Sequence, residues 1–448
     1  MTSQIEESVR IRPGVAGGVA PDKSYYLLSW PYSTGLGRLS TEQQALLHRL
    51  SQASVPVKEL AELDFEAHLS LLRVGGWLHV TVTCDGRDLY TVEPEGPEDS
   101  RVGETPADLA LSRFAIARRD GTGVVLESPR SWCRVRLHDS RALAWLGPSR
   151  LADDDVPALR RLRRDLWACG LAVLQADDED DRLSTSQWQP HELWFHHRSR
   201  THLPEVPHGK SAWAAGRFAA PAAHREPFDG EVVDLARPDL SRLRAGDPSL
   251  TAALEQRRSI RRHDDANPLT AAELGEFLYR CARNRDVYRS NGVDHVSRPY
   301  PAGGAMHELE IYPVIWKVSG LEQGLYHYDP QHHRLERICG ATLEVRRLLR
   351  AAAASAAADQ EPQVLLVIAA RFGRVMWSYQ SMAYSLIMKH VGVLFQTMYL
   401  VATAMGLAPC ALGGGDAAAF AAATRLDAME EGTVGEFALG SVVRGAGR

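Results

Sequence analysis

Residues 377–416 read WSYQSMAYSLIMKHVGVLFQTMYLVATAMGLAPCALGGGD, and this stretch decides the fold. From Tyr379 to Met405 it holds no proline and one glycine, Gly392. Apolar residues recur at helical spacing through Met382, Leu386, Leu394, Met398 and Val401, while Ile387, Val391, Phe395 and Tyr399 fill the other faces. A helix that is apolar nearly all round is buried, in a protein core or in a bilayer. Gly406 suits the left-handed residue that ends a helix, and Pro409 blocks its continuation. The length would just span a membrane. However, Lys389, His390 and Gln396 sit mid-helix, and one lysine at the bilayer centre costs roughly 2.5–3.5 kcal/mol. The stretch is read as one long core helix from Trp377 onward, whose few polar atoms and glycine turn face something specific.

Working outward, 448 residues allow two or three domains. A net charge of −5 gives no electrostatic case for nucleic acid as a partner. The N-terminus lacks the basic-then-apolar pattern of a secretory signal. The six cysteines are scattered without a CxxC pair, which fits reduced thiols in a cytoplasm.

Residues 1–108 and 109–185 read as two related α+β modules. In the first, Ser40 or Thr41 caps a helix with Ala45, Leu46, Leu47 and Leu50 inside, and Trp77–Val82 is a strand. In the second, Asp120-Gly121 turns a hairpin, and Val156–Cys169 is helical before a strand at Leu171–Leu174. The outline is a tandem pair of winged-helix-like modules, with a single α+β domain as the alternative. Lacking a basic recognition helix, it favours a protein or peptide partner. Arg160–Arg164 reads as a solvated helix face, and Ala176–Asp181 as an exposed acidic linker. Residues 186–246 form a connector or arm. Its HELWFHHRSR run is expected to pack aromatics on the C-terminal domain. No metal is expected, since HExxxHH does not set His191 and His196 on one helical face.

The chemistry falls in 247–448. Arg257, Ser259 and Arg261 alternate, so in an extended chain they point one way, and two guanidiniums with a hydroxyl match a phosphate. Thr270 and Glu273 make a capping box for a helix with Leu274, Phe277, Leu278 and Cys281 inside. Pro301-Ala302-Gly303-Gly304 lets backbone amides approach a flat or anionic ligand. Pro313 marks an edge or bulge in the strand 310–318, and Val364–Ala370 reads as a buried central strand.

In order, RRSIR, PYPAGGAMHELEIY, GLYHYDPQHHRL, the buried helix, CALGGGD and VGEFALG resemble the FMN-dependent nitroreductase superfamily, and within it the SagB-type dehydrogenases. These are the thiazole- and oxazole-forming peptide oxidases of ribosomal natural-product pathways, including thiopeptide, cyanobactin and microcin-type clusters. The resemblance implies an α+β nitroreductase fold, a mixed sheet around the buried central helix, and a homodimer with FMN at its interface. It also implies a heterocyclised precursor peptide as substrate, a cyclodehydratase complex as partner, and oxygen as acceptor. Carried over by position, Arg257, Arg258, Ser259 and Arg261 contact the FMN phosphate and ribityl chain. Pro301, Ala302, Gly303 and Gly304 lie against the flavin ring, with Ala302 replacing a usual serine at a cost of about 0.5–1.5 kcal/mol. Gly413, Gly414 and Gly415 turn near the flavin, and Arg444 touches the phosphate. The departure is Ser378-Tyr379, where azole-forming members carry Lys-Tyr in a catalytic role. Tyr379 is the remaining candidate base, and an unperturbed tyrosine near pKa 10 needs a nearby cation to serve as one. Lys389, almost three helical turns on, is about 15 Å away. Two other readings stay open: an NAD(P)H-dependent reductase of small nitro or quinone compounds, and a non-catalytic scaffold of a peptide-modifying complex.

Overall fold

In a computed structural model of the chain, residues 4–443 are described except for 30–31, 61–64, 100–103, 122, 145, 147–155, 175–178 and 202–206. The chain divides into two compact units, Met1–His208 and Gly209–Arg448.

The N-terminal unit is strand-rich. Its main elements are β1 (Ile5–Ile11), α1 (Thr41–Gln52), β2 (Val55–Pro56), α2 (Glu66–Val74), β3 (Leu78–Cys84), β4 (Arg87–Pro94), β5 (Ile116–Asp120), β6 (Gly123–Glu127), β7 (Cys133–Leu137), α3 (Pro157–Ala168) and α4 (Pro190–Arg200). Ser40 caps α1 through a box with Gln43, and Leu46, Leu47 and Leu50 are buried. Gly121, at φ +60°, turns β5 into β6. β7 pairs with β4, so the two segments share one seven-stranded sheet ordered β2-β1-β3-β4-β7-β6-β5.

Three surface expectations change here. Within the 160–164 cluster, Arg163 is buried and donates to the carbonyls of Pro106 and Ala107, while Arg161 pairs with Glu7 and Asp165. Such fork-shaped donors are used where several acceptors converge, and that pattern is invisible in a run of charges. In the acidic run, Ala176, Asp177 and Asp178 lie outside the described residues. Glu179 is buried, accepts from Ser112 Oγ and the Arg113 amide, and pairs with Arg130. Lastly, α4 packs Trp194 within its own unit, donating from Nε1 to the Phe114 carbonyl at 3.0 Å.

The C-terminal unit begins at Gly209, so residues 209–246, expected as a connector, build part of it. Its elements are β8 (Gly209–Lys210), β9 (Val232–Asp234), α5 (Leu250–Gln256), α6 (Ala271–Ala282), β10 (Leu309–Ile315), β11 (Gly324–Asp329), β12 (Arg334–Cys339), α7 (Leu343–Ala356), β13 (Val364–Arg371), β14 (Tyr379–Gln380), α8 (Ala383–Ala404), β15 (Leu407–Leu412), α9 (Ala417–Thr424) and β16 (Glu431–Ser441). A seven-stranded sheet runs β9-β12-β11-β10-β13-β16-β15. Every pairing in it among the described residues is antiparallel, which corrects the expected mixed sheet. The neighbours of β13 are reached through hairpins and helical returns that re-enter from the opposite end, and no single-helix parallel crossover joins them.

β13 is an interior strand, apolar from Val364 to Ala370 because both faces are covered. Val364, Leu366, Ile368 and Ala370 face the core that holds residues of α6 and α8. Leu365, Val367 and Ala369 face the core that holds residues of α7 and α9. Pro313 sits where β10 parts from β11, whose pairing covers only Val314 and Ile315, so its missing N–H interrupts no ladder there.

By length and composition α8 could cross a membrane. Here it is the core helix of its unit, with Ile387, Leu394, Met398 and Ala402 fully buried. It starts at Ala383, six residues later than the sequence reading. Ser381 at φ +61° breaks the backbone, and Tyr379-Gln380 is extended against β8.

Candidate functional site

Two groups of the sequence-predicted residues assemble at different points along α8. Arg257 ends α5, and the chain then runs extended beside β15, with the Ile260 amide donating to the Pro409 carbonyl at 2.8 Å. Tyr399 organises this end. Its hydroxyl accepts from the Ala411 amide at 2.8 Å and lies 2.8 Å from Ser259 Oγ, and the Arg257 guanidinium sits 5.1 Å above its ring. Arg258 and Arg261 are exposed, with no carboxylate partner among the described residues. Beyond β15, Gly413 and Gly414 are exposed, and a Cβ on either would meet no atom within 4 Å. The Gly414 amide donates to Ser355 Oγ at 3.2 Å. Arg444 lies outside the described residues.

Near the other end of α8 stands the loop Pro301-Ala302-Gly303-Gly304. The Gly303 amide donates to His390 Nε2 at 2.7 Å. Nε2 therefore carries no hydrogen, so Nδ1 carries it and donates to Glu308 Oε1 at 2.7 Å. Glu308 is fully buried and His390 nearly so. A Cβ on Gly303 would fall 2.8 Å from Leu386 Cδ2, and one on Gly304, at φ +63°, 3.0 Å from the Tyr379 hydroxyl. Gly304 is thus required by its positive φ, a Cβ on Gly303 would need the Leu386 side chain to shift, and Tyr379 stands directly against the loop. Buried arginines hold the loop's far side: Arg374 donates to the Met306 carbonyl and Arg298 to that of Leu309. Ser378 is buried, and its carbonyl accepts from the Ala212 amide.

His390 and Tyr399 are nine residues apart on one helix, about 14 Å along its axis. One chain therefore separates the cation-rich end from the loop carrying Tyr379. Sequence reasoning marked His390 as a polar atom in an apolar helix. It missed Glu308, Arg298 and Arg374, whose roles depend on contacts far apart in the chain.

The residues present fit a flavin mononucleotide. Two unpaired guanidiniums offer a phosphate site, and a glycine pair without side chains offers a flat surface beside a phenol.

Two buried histidines contribute to the pH dependence of this unit. Burial, reinforced by Arg298, His390 and Arg374, pushes the His307 ring down to about 3, and burial pushes His263 down to about 4. Both values lie below the ordinary histidine range, so the unfolded chain takes up protons that the fold excludes. Stability is then full above about pH 6.5 and falls as the pH drops from there toward 4. The melting temperature should fall between pH 7 and pH 5, and His307→Asn should flatten that slope. Asparagine tolerates the left-handed backbone at this position, φ +43°. An unchanged slope in that variant would contradict the assignment.

Against protein families, residues 254–441 match the nitroreductase family and residues 109–203 match the cyanobactin oxidase ThcOx. The nitroreductase-like protein MJ1384 of Methanocaldococcus jannaschii is 29% identical over 184 residues, 41% of this chain and 85% of that one. The trifolitoxin-processing protein TfxB of Rhizobium leguminosarum bv. trifolii is 30% identical over 132 residues, 29% of this chain and 35% of its own length. The microcin B17-processing protein McbC of Escherichia coli is 27% identical over 197 residues, 42% of this chain and 68% of that one.

Proposed function

We propose, from the match of residues 254–441 to the nitroreductase family, that the chain is an FMN-dependent azoline dehydrogenase acting on a heterocyclised, ribosomally made precursor peptide. The observation that carries this reading is the joining, in one chain, of a segment matching a cyanobactin oxidase to a nitroreductase domain. A reductase of small molecules has no need of the first. Similarity to two proteins named for processing peptide toxins supports it further.

A thiazoline becomes a thiazole when one ring carbon loses a proton and its neighbour loses a hydride. Two C–H bonds break and a ring C=C forms. Bound FMN would accept the one hydride, with its two electrons, and pass those electrons to oxygen. The protein's share is binding, orientation and proton removal. Arg258 and Arg261 would hold the phosphate, Gly303 and Gly304 would back the ring, and Tyr379 beside that loop would take the proton. The separation of the two residue groups along α8 supports a homodimer with the flavin between copies. The N-terminal unit would dock the peptide or a cyclodehydratase.

The test starts with the visible spectrum: a yellow protein releasing about one FMN per chain, which oxidises a thiazoline peptide in air. Tyr379→Phe should keep its FMN and lose on the order of 10²-fold in rate. A colourless protein that takes up no FMN would overturn the reading. Rapid flavin reduction by NADPH without peptide oxidation would assign it instead to the small-molecule reductases.

A further inference from the structure

The GLYHYDPQHHRL segment lies outside both residue groups of the candidate site, yet it carries a buried histidine flanked on both sides by carboxylates. His327 stands on β11 directly opposite Glu336 of β12. Its Nδ1 is 3.1 Å from Glu336 Oε2, and its Nε2 is 3.2 Å from Glu310 Oε2 on β10. His327, Glu310 and Glu336 are 3%, 3% and 1% exposed. An ionised carboxylate only accepts hydrogen bonds, whereas a neutral imidazole has one N–H and one lone pair. A neutral ring would turn that lone pair on a buried carboxylate, so only the doubly protonated ring serves both sides. The carboxylates themselves stay ionised. Burial works to raise both, but His327 and Arg298 hold Glu310 below the ordinary range, and His327 with the Phe228 amide holds Glu336 down at about 2.

The same cluster holds a stretch of chain against the sheet. Residues 222–231 form no helix or strand, and His224, Glu226, Pro227 and Asp229 are exposed. The stretch is attached through backbone groups and charges. The Phe228 amide donates to Glu336 Oε2 at 3.2 Å, the oxygen that also faces the ring, and the Phe228 ring lies 5.7 Å from that of His327. Arg371 of β13 donates to the carbonyls of Ala222 and Ala223 and lies 3.7 Å from Glu310. Arg225 pairs with Glu431 of β16 at 3.1 Å and sits 4.2 Å over the Phe228 ring. The Glu231 carbonyl then accepts from the Arg337 amide at 2.8 Å, and β9 pairs with β12. Further charges complete the surroundings of the ring: Arg334 pairs with Glu336 at 2.9 Å, and Tyr312, 5.1 Å from the His327 ring, donates to Glu431. Burial pushes the His327 ring down, but its bonds to Glu310 and Glu336 outweigh burial and raise it above the ordinary histidine value.

We propose that His327 is held as an imidazolium between Glu310 and Glu336 and acts as a proton-dependent clamp on the strap 222–234, which lifts from the sheet when the ring loses a proton. Only an N–H bond breaks, and the proton goes to solvent. The closed strap binds one proton more than the open one, in which the ring returns to the ordinary histidine range. The clamp is therefore at full strength below about pH 6.5 and weakens about tenfold per pH unit as the pH rises from there through the ring's ionisation in the fold. This is opposite in sign to His307 and His263, and it depends on neither the flavin nor the substrate.

Two measurements on the full-length chain test it. Hydrogen exchange of peptides covering 222–234, corrected for the intrinsic exchange rate, should show protection falling about tenfold per pH unit above about pH 6.5. Glu310→Gln separates charge from packing. Its amide can turn to donate to a bare Nε2 while Nδ1–H still donates to Glu336, so a neutral ring fits and the protection should no longer fall with pH. His327→Leu should leave the strap unprotected at every pH. Nitrogen NMR of histidine-labelled protein reads the ring itself: one histidine, identified by its displacement in Glu310→Gln, should carry protons on both nitrogens at about pH 7.5, where an ordinary histidine is mostly neutral. One bare nitrogen on that ring at about pH 7 overturns the inference. Strap protection independent of pH in the parent, or a slope unchanged in Glu310→Gln, overturns it equally, whether or not His327→Leu folds.

Discussion

Replacing His390 with leucine lowers the melting temperature of the C-terminal unit by about 10 °C. Leucine fills most of the space but offers neither an acceptor to the Gly303 amide nor a donor to Glu308, at distances where both bonds are now 2.7 Å. Glu308 has no exposed surface and His390 is 5% exposed, so little water can stand in. Each buried polar group left without a partner costs about 1–3 kcal/mol, and a buried carboxyl lies toward the top of that range. A total of about 3–5 kcal/mol follows. The double variant His390→Leu/Glu308→Leu should recover part of the loss, because removing both members of a buried pair costs less than orphaning one. Thermal melting of the three proteins decides it, and a melting temperature unmoved in His390→Leu would show that the pair does not hold the loop. FMN retention should fall in parallel, since Gly303 would no longer be tethered.

The second large effect is on cofactor affinity. In the double variant Arg258→Ala/Arg261→Ala, FMN should bind about 10³-fold more weakly while the melting temperature of the flavin-free protein stays within about 1 °C. Hydrogen bonds to a charged group contribute about 1.5–3 kcal/mol each, and two of them give the expected change. The stability stays because both side chains are exposed and unpaired in the fold, and exposed charges contribute little to it. Arg257→Ala is the contrast. Its guanidinium already lies over the Tyr399 ring, so losing it should disturb the packing around Ser259 as well as binding. Flavin fluorescence titration reads all three. Unchanged affinity in the double variant would place the phosphate elsewhere.

The two predictions sit at the two ends of α8, and much of that helix was legible beforehand. Its apolar periodicity and stop signals predict a buried helix, and the cost of Lys389 argues against a bilayer. The capping box at Thr270 and the run 364–370 likewise predict α6 and the central strand, because local hydrogen bonding and two-sided burial leave their marks on adjacent residues. What failed was of another kind. The acidic stretch through Glu179 and the basic one through Arg163 look solvated because charge usually is. Their partners, Ser112, Arg130 and the carbonyls of Pro106 and Ala107, lie dozens of residues away.

By itself the sequence determined the helix capped at Thr270, several strands and the buried core helix of the C-terminal unit, the cation-rich and glycine-rich segments that suit a flavin phosphate and ring, and Tyr379 as a candidate base without a lysine before it. Each depends on periodicity, composition or a short motif, all of which act over a few residues. Only the tertiary structure decided which polar groups meet. It set Glu308 and His390 behind the Gly303 amide, and it made the sheet antiparallel. It also laid residues 209–210, read from composition as a connector, against Tyr379 and Gln380 as a paired strand. Strand pairing is set by backbone hydrogen bonds between segments distant in the chain, so no local pattern near either residue announces it.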